Sequence, residues 1–401
     1  MNKKLLWGTA LVLGLSASVA SAQIAVSGND GKRRLVNGVN TVVQNPPSDT
    51  ITIIDLNGQR PRVLGEVAVS HSVVGPPTSV AITPDERFAI VTSAERIDPA
   101  NPRAGVPDNR VQVVDLRATP PRVTQTVEAG AGPSGVSINT AGNLVLVANR
   151  NAGTVSVFRF TNGSLTPVST VNLGSATASP AHVQFTPDGR RALVTRDADA
   201  ASMVSVLNIE GENVTLSPNH ITVGIKPYGM GITRDGRWAV VANIGRSAGN
   251  TGDADTISLI SLAREPFHTV DTVTVGATPE GIQVSPDNRH VAVTIHNGSG
   301  RADGHPLRGR AQVVLFRIDN GRLREVSRAP VGDWAQGLVF SRDGRTLLVQ
   351  NMADRNIAVF RVDGDRLRDT GQRLQTNGGP AALRTADVAQ PAAAAGGRAT
   401  R

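Results

Sequence analysis

Pro180-Ala-His-Val-Gln-Phe-Thr-Pro-Asp-Gly-Arg190 decides the fold. A short stretch of alternating apolar residues runs into Asp188-Gly189, a strong hairpin signal. Working outward, the same pattern starts at Pro77, Pro133, Pro227, Pro279 and Ala335, and a partial copy starts at Pro380. Successive starts lie 56, 47, 47, 52, 56 and 45 residues apart, the period of a four-stranded propeller blade with the excess in loops. Each unit reads as four strands. An inner one such as Val80–Ile82 is followed by a second such as Leu144–Ala148, a β-branched third such as Thr154–Phe160, and a fourth of the Val273-Thr-Val type that runs into the next Pro. No helical periodicity is seen after the first residues, so the fold is all-β.

The ends set the blade count. Residues 24–75 supply only second, third and fourth strands, at Ile24–Val26, Thr50–Leu56 and Arg62–Val69. The missing inner strand is what Pro380–Ala386 provides, which makes seven blades closed by pairing of the N- and C-terminal strands. Such closure removes exposed sheet edges. The propeller is expected over residues 23–387, with a low-complexity disordered tail at 388–401.

The chain has 401 residues, 39% of them apolar and 18% charged, a globular composition. With no cysteine it has no disulfide, thiolate metal site or cysteine nucleophile. Met1 to Lys4 is a short basic region, Leu5–Leu15 is apolar, and Ala20-Ser21-Ala22 offers a cleavage site before Gln23. Residues 1–22 therefore read as a secretory signal peptide, and the protein is expected to be periplasmic, with no transmembrane segment after cleavage. Loss of Lys3 and Lys4 takes the formal charge from +8 to +6. The loops on the face described below sum to only +1, so no nucleic-acid surface is expected. A monomer is expected.

Second strands end in Ile-Val-Thr-Ser93, Leu-Val-Ala-Asn149, Leu-Val-Thr-Arg196, Val-Val-Ala-Asn243 and Leu-Val-Gln-Asn351. These resemble the Tyr-Val-Thr-Asn repeats of the YVTN family. The 180–190 stretch is also similar to the Pro-Arg-His-x-x-Phe-x-Pro-Asp-Gly-Arg segment of the seven-bladed lactonase family, typified by 6-phosphogluconolactonase. That resemblance implies hydrolysis of a sugar-type lactone, with His182 in a family position. Two family positions differ: the Arg before the His is Ala181, and Asn-Glu at the end of the second strand is Arg196-Asp197.

In a four-stranded meander, the loops before strand one and between strands two and three share a face. Here that face receives the long connections, 27–49, 93–109, 243–255 and 296–310, while the opposite face has tight Asp/Gly turns. Function concentrates on long loops over a rigid scaffold. At the channel mouth Gly135, Gly229, Gly281 and Gly337 are expected to keep the centre open. Against them stand His182, Tyr228, Glu280, Trp334 and Gln336, with Asn149, Arg196, Asn243, His296 and Asn351 at second-strand ends. His182 or Glu280 could act as general base, and Arg196 could hold a carboxylate or a developing oxyanion. Plain structural roles fit as well: an inter-blade hydrogen bond for His182, an ion pair for Glu280, loop caps for the asparagines, packing for Trp334.

Gly245-Arg-Ser247-Ala-Gly249 matches a nucleophile-elbow string but precedes a strand, whereas that chemistry needs a helix. Asp253-Ala-Asp255 and Asp197-Ala-Asp199 have carboxylates of calcium-loop type without further oxygen ligands in register, and no cofactor is expected. Two function classes remain. One is an exported lactonase-like hydrolase. The other is a non-catalytic propeller that binds a small polar or anionic molecule, an envelope component or a protein partner. They divide on whether His182, Glu280 and Arg196 converge on one pocket. If Glu280 is salt-bridged away and His182 is buried, the enzyme reading fails.

Overall fold

Blade four realises the deciding stretch strand for strand. In a computed structural model, which describes residues 23–58, 60–198, 202–246 and 253–387, it runs Pro180–Phe185, Arg191–Arg196, Met203–Glu210 and Asn213–Ile221 as an antiparallel meander. Residues 1–22, read above as a signal peptide, the stretch from 388 expected as a tail, Asp199 and the Ser247-Ala-Gly249 part of the elbow string lie outside the described residues.

Seven such four-stranded sheets form the propeller. Their innermost strands are Gly379–Thr385, Val80–Ile82, Pro133–Ile138, Pro180–Phe185, Pro227–Ile232, Pro279–Val284 and Ala335–Phe340, for blades one to seven. Among the described residues no helix is long and apolar enough to cross a membrane.

Blade one is the clasp. Ile24–Asp30 lies between Gly379–Thr385 and Thr50–Asp55, antiparallel to both, with Ala25 opposite Thr385 and Asp30 opposite Gly379. Gln350 of blade seven fastens it, its Nε2 donating to Ser27 Oγ and to the Ala382 carbonyl, each at 2.8 Å. Apolar side chains between neighbouring blades make the core. Val157 and Leu146 of blade three, for example, pack with Val183 and Val194 of blade four, all essentially dry. Removing such side chains from water is the main driving force for stacking the blades.

Blades three to seven share one register. Pro133, Pro180, Pro227, Pro279 and Ala335 each pair with the residue 16 positions later, and a bulge follows the anchor. A bulge leaves residues out of the ladder and re-aims their side chains, which frees the two positions after each anchor to face the channel mouth.

Two of the long loops carry structure of their own. Arg33–Val36 pairs with Val39–Val42, and Glu95–Asp98 with Asn101–Pro107. Arg33 Nη2 donates to both carboxylate oxygens of Glu95, at 2.7 and 2.8 Å, and its Nε donates to Oε1 at 2.9 Å, which joins the two hairpins. The Asn37-Gly38 tip of the first has positive φ at both residues, as a type I′ turn requires. It also leans on the blade-six loop so closely that a Cβ on Gly38 would lie 2.3 Å from the Ala302 amide nitrogen. Only glycine fits there.

Candidate functional site: the channel mouth and a chamber beside it

The linker between blades one and two lies across the mouth. Val73 donates its amide to Asp30 Oδ2 at 2.8 Å and packs with Met352, Ala381 and Trp334 from the far side of the ring junction. Gly75 continues over blade three, where a Cβ would meet Ser134 Oγ at 2.1 Å. Its amide faces the Tyr228 hydroxyl of blade five. The glycines at the rim therefore do something other than hold the centre open. A Cβ on Gly229 or Gly281 would sit 2.3 Å from the carbonyl oxygen of Glu280 or Gln336, so these residues let adjacent inner strands approach closely.

Beneath the linker the rim side chains are stitched together. Arg150 reaches from blade three to Asp197 of blade four at 2.7 Å, and its guanidinium lies 5.7 Å from the centre of the Tyr228 ring, a cation–π distance. Burial raises the Tyr228 hydroxyl above its ordinary pKa, against the opposing pull of Arg150, so it stays a neutral donor. On the other side Glu280 Oε2 accepts from Gln336 Nε2 at 3.0 Å. His296 Nε2 comes within 2.6 Å of the same oxygen, a close contact that is not an aligned hydrogen bond.

Of the residues singled out from sequence, Tyr228, Glu280, His296 and Gln336 are thus brought together at the rim. His182 is not among them. It is fully buried, its Nδ1 accepts the Met230 amide at 3.1 Å, and its proton must therefore reside on Nε2, which has no protein acceptor. Burial, helped by the charge of Arg384, holds its pKa well below the ordinary histidine value. Arg196 stands apart in blade four. It is buried against Met203 Sδ at 3.7 Å with Nε unpartnered, and burial lowers its pKa.

The asparagines point into their own blades. Asn149 donates to Thr154 and Ser156, Asn243 to Thr256 and Ser258, and Asn351 donates to Asn356 while accepting the Gly332 amide. Sequence reasoning missed Arg150, although the common register carried the signal. The residue one past each second strand, here Arg150, Asp197 and His296, donates its amide to the residue just before the anchor, Gly132, Ser179 and Thr278, and so stands at the rim.

Trp334 is the remaining residue, and it opens a second view of the long-loop face. Its φ of 53° is left-handed, as are Ser179, Lys226 and Thr278 at the same point of their blades. With Met352 it lines a chamber of about 220 Å³ whose wall is the Arg33–Val42 hairpin. Arg33 is already held by Glu95. Arg34 and Arg355 line the chamber too, and among the described residues neither has a carboxylate partner. Burial, with the like charge of Arg34 facing it, holds Arg355 below the usual arginine range. Two guanidinium groups kept close without an anion repel each other, and an anion between them would relieve that.

Residues 263–381 match the family model described as "Lactonase, 7-bladed beta-propeller". Among solved structures, the chain is similar to a protein from Bacteroides uniformis named provisionally as a 6-phosphogluconolactonase. The TM-score is 0.70 at 18% identity, covering 91% of this chain and 99% of that one. It is also similar to the periplasmic gluconolactonase PpgL of Pseudomonas aeruginosa, with a TM-score of 0.64 at 20% identity over 91% of this chain and 99% of that one. A functionally unknown protein from Desulfotomaculum acetoxidans matches at 0.66 and 14% identity, over 90% and 98% of the two chains. In fold, the chain is a seven-bladed β-propeller that resembles the lactonase propellers.

Proposed function

We propose that the protein is an exported propeller that binds a small anionic molecule with a flat or apolar face, in the chamber between the Arg33–Val42 hairpin and blade seven. The observation that carries this reading is the pair Arg34 and Arg355, free of carboxylates among the described residues and set over Trp334 and Met352. A guanidinium pair takes a carboxylate through parallel hydrogen bonds. An indole supplies a surface for a sugar ring or an aromatic ring. An aldonate or an aromatic carboxylate fits that description.

The test is calorimetric titration of the folded protein with gluconate and with benzoate. Saturable binding that falls at least tenfold in an Arg34→Gln/Arg355→Gln double variant supports the reading. Binding to neither, or binding indifferent to the double variant, sinks it.

A second reading, hydrolysis of a sugar-type lactone, is favoured by the 2.6 Å approach of Glu280 to His296. A carboxylate beside an imidazole can orient it as a general base for water, and the neutral Tyr228 hydroxyl nearby could stabilise an oxyanion. His182 and Arg196 stand outside that arrangement. Turnover of gluconolactone above the spontaneous rate, lost in His296→Gln, would establish it; an unchanged rate would exclude it.

A further inference from the structure

At the outer part of the ring, on the tight-turn side, an ion pair recurs between neighbouring blades. Arg159, which follows Phe158 on the third strand of blade three, reaches Glu212 in the third-to-fourth turn of blade four, at 2.6 Å. Arg317 follows Phe316 in blade six and reaches Asp365 in the same turn of blade seven, at 2.7 Å. In blade four Asn208 holds that strand position, and Arg191 directly opposite it reaches Glu265 in the turn of blade five, at 2.7 Å. In all three the following blade supplies the acid.

The clasp breaks the pattern. Arg361 follows Phe360 in blade seven as its counterparts do, but the third-to-fourth turn of blade one presents Arg60. Arg368, on the outer strand of blade seven, stands directly opposite Arg361. With Thr370 and Gln372 these three arginines line a groove of about 510 Å³ that contains no carboxylate. Gln372 Nε2 donates to the Pro61 carbonyl at 2.6 Å and so holds the two blades together beside Arg60.

The acids of this region are engaged elsewhere. Asp369 is held by Arg373 at 2.6 Å, Asp343 accepts from Ser341 Oγ and the Arg345 amide, and Asp363 stands opposite Arg366. Among the described residues none of the three groove arginines is in an ion pair, and Arg361 has only a 3.4 Å contact with Thr346 Oγ1. Blade six shows the matched form. There Arg324 stands opposite Arg317, yet each has its own carboxylate, Asp319 and Asp365. Like charges directly opposite on a sheet are destabilising, and at the clasp nothing in the chain offsets them.

We infer that this groove binds a phosphate group, free or carried as a monoester on a small molecule. A guanidinium fork gives such an anion two parallel hydrogen bonds. A dianion with oxygens on several sides can engage forks that arrive from two blades. A carboxylate presents one edge and one charge, so it answers one arginine and leaves two. Bound here, the anion links blade seven to blade one as Glu212 and Asp365 link the other pairs.

This inference does not depend on the long-loop face. It is tested by calorimetric titration of the folded protein with inorganic phosphate, glycerol phosphate and acetate at constant ionic strength. At least one of the two phosphates is expected to saturate in the millimolar range, with acetate at least tenfold weaker; the tighter of the two identifies the source. Arg361→Gln should weaken that binding at least tenfold. Arg60→Glu, which places an acid where the other turns have one, should abolish it without lowering the melting temperature, and it decides the matter if Arg361→Gln does not fold. Arg34→Gln/Arg355→Gln should leave phosphate binding intact. The inference is overturned by an absence of saturable binding, by acetate binding as tightly as phosphate, by binding that survives Arg60→Glu, or by a loss that follows Arg34 and Arg355.

Discussion

Asp30 and Val73 are joined by a 2.8 Å hydrogen bond from the Val73 amide to the Asp30 carboxylate, and that bond pins the blade-one to blade-two linker across the channel mouth. The carboxylate is shut off from solvent and also accepts the amides of Lys32 and Arg33, with the Lys32 ammonium 3.4 Å away. Removing one member of a buried charged pair costs about 3–5 kcal/mol. Asp30→Ala is expected to lower stability by that order in a urea titration. Hydrogen exchange should then show the Val73 and Gly75 amides losing protection before the blade cores do. Protection retained at both amides would mean that the linker is held by its apolar contacts alone.

His71 and His182 predict a pH dependence. Burial lowers the His71 pKa to about 3, with Lys32 adding to the effect, and holds His182 well below its ordinary value. The unfolded chain takes up a proton on each ring below about pH 6.5, whereas the folded chain does not. Their contribution is therefore fully present above pH 6.5 and is lost as the pH falls towards 3, at up to about 1.4 kcal/mol per pH unit for each ring. Urea titrations at pH 7, 6 and 5 should show that slope, and His71→Phe should flatten it by about half. An unchanged slope in the variant would place the titration elsewhere.

Asn243 gives a contrast between structure and binding. Its side chain donates to Thr256 and Ser258 inside blade five, at 3.1 and 3.0 Å. Asn243→Ala should cost about 1–3 kcal/mol in unfolding free energy with no change in ligand affinity at the chamber lined by Arg34 and Arg355. A selective loss of binding without loss of stability would make it a ligand residue instead.

The clasp predicts an all-or-none result. Deleting residues 379–387 removes the inner strand of blade one and bares the edge of Ile24–Asp30. The truncated chain is expected to elute as aggregates and to lose its cooperative melting transition. A monomeric, cooperatively melting product would show that six blades and a partial seventh can stand alone.

The blades, their number and the clasp were legible in the sequence because they rest on local alternation and on a repeated anchor at a fixed offset. Pro133, Pro180, Pro227, Pro279 and Ala335 keep that offset to their partners without exception. The same offset puts Glu280 and His296 at one rim, but their side-chain contact depends on the bulge after Pro279 and not on the offset. What could not be read depends on contacts between segments far apart in the chain. Val73 meets Met352, and Gly38 meets Ala302, through the curvature of the closed ring and not through any local pattern. The length of the loops is plain in the sequence, but that two of them pair with themselves as hairpins turns on single turn residues such as Asn37-Gly38. Glycine at the rim was misjudged for a related reason: its effect lies in the neighbouring blade.

The two-ended construction of blade one bears on the order in which the molecule can form. Ile24–Asp30 leaves the ribosome well before its inner neighbour, Gly379–Thr385. Each of the other blades is a contiguous meander that can assemble once its own residues have emerged. The first blade made must wait for almost the whole chain, and joining it carries the loop-closure entropy of everything between. Ring closure therefore cannot precede the synthesis of Gly379–Thr385, and until then Ile24–Asp30 has an unpaired inner edge.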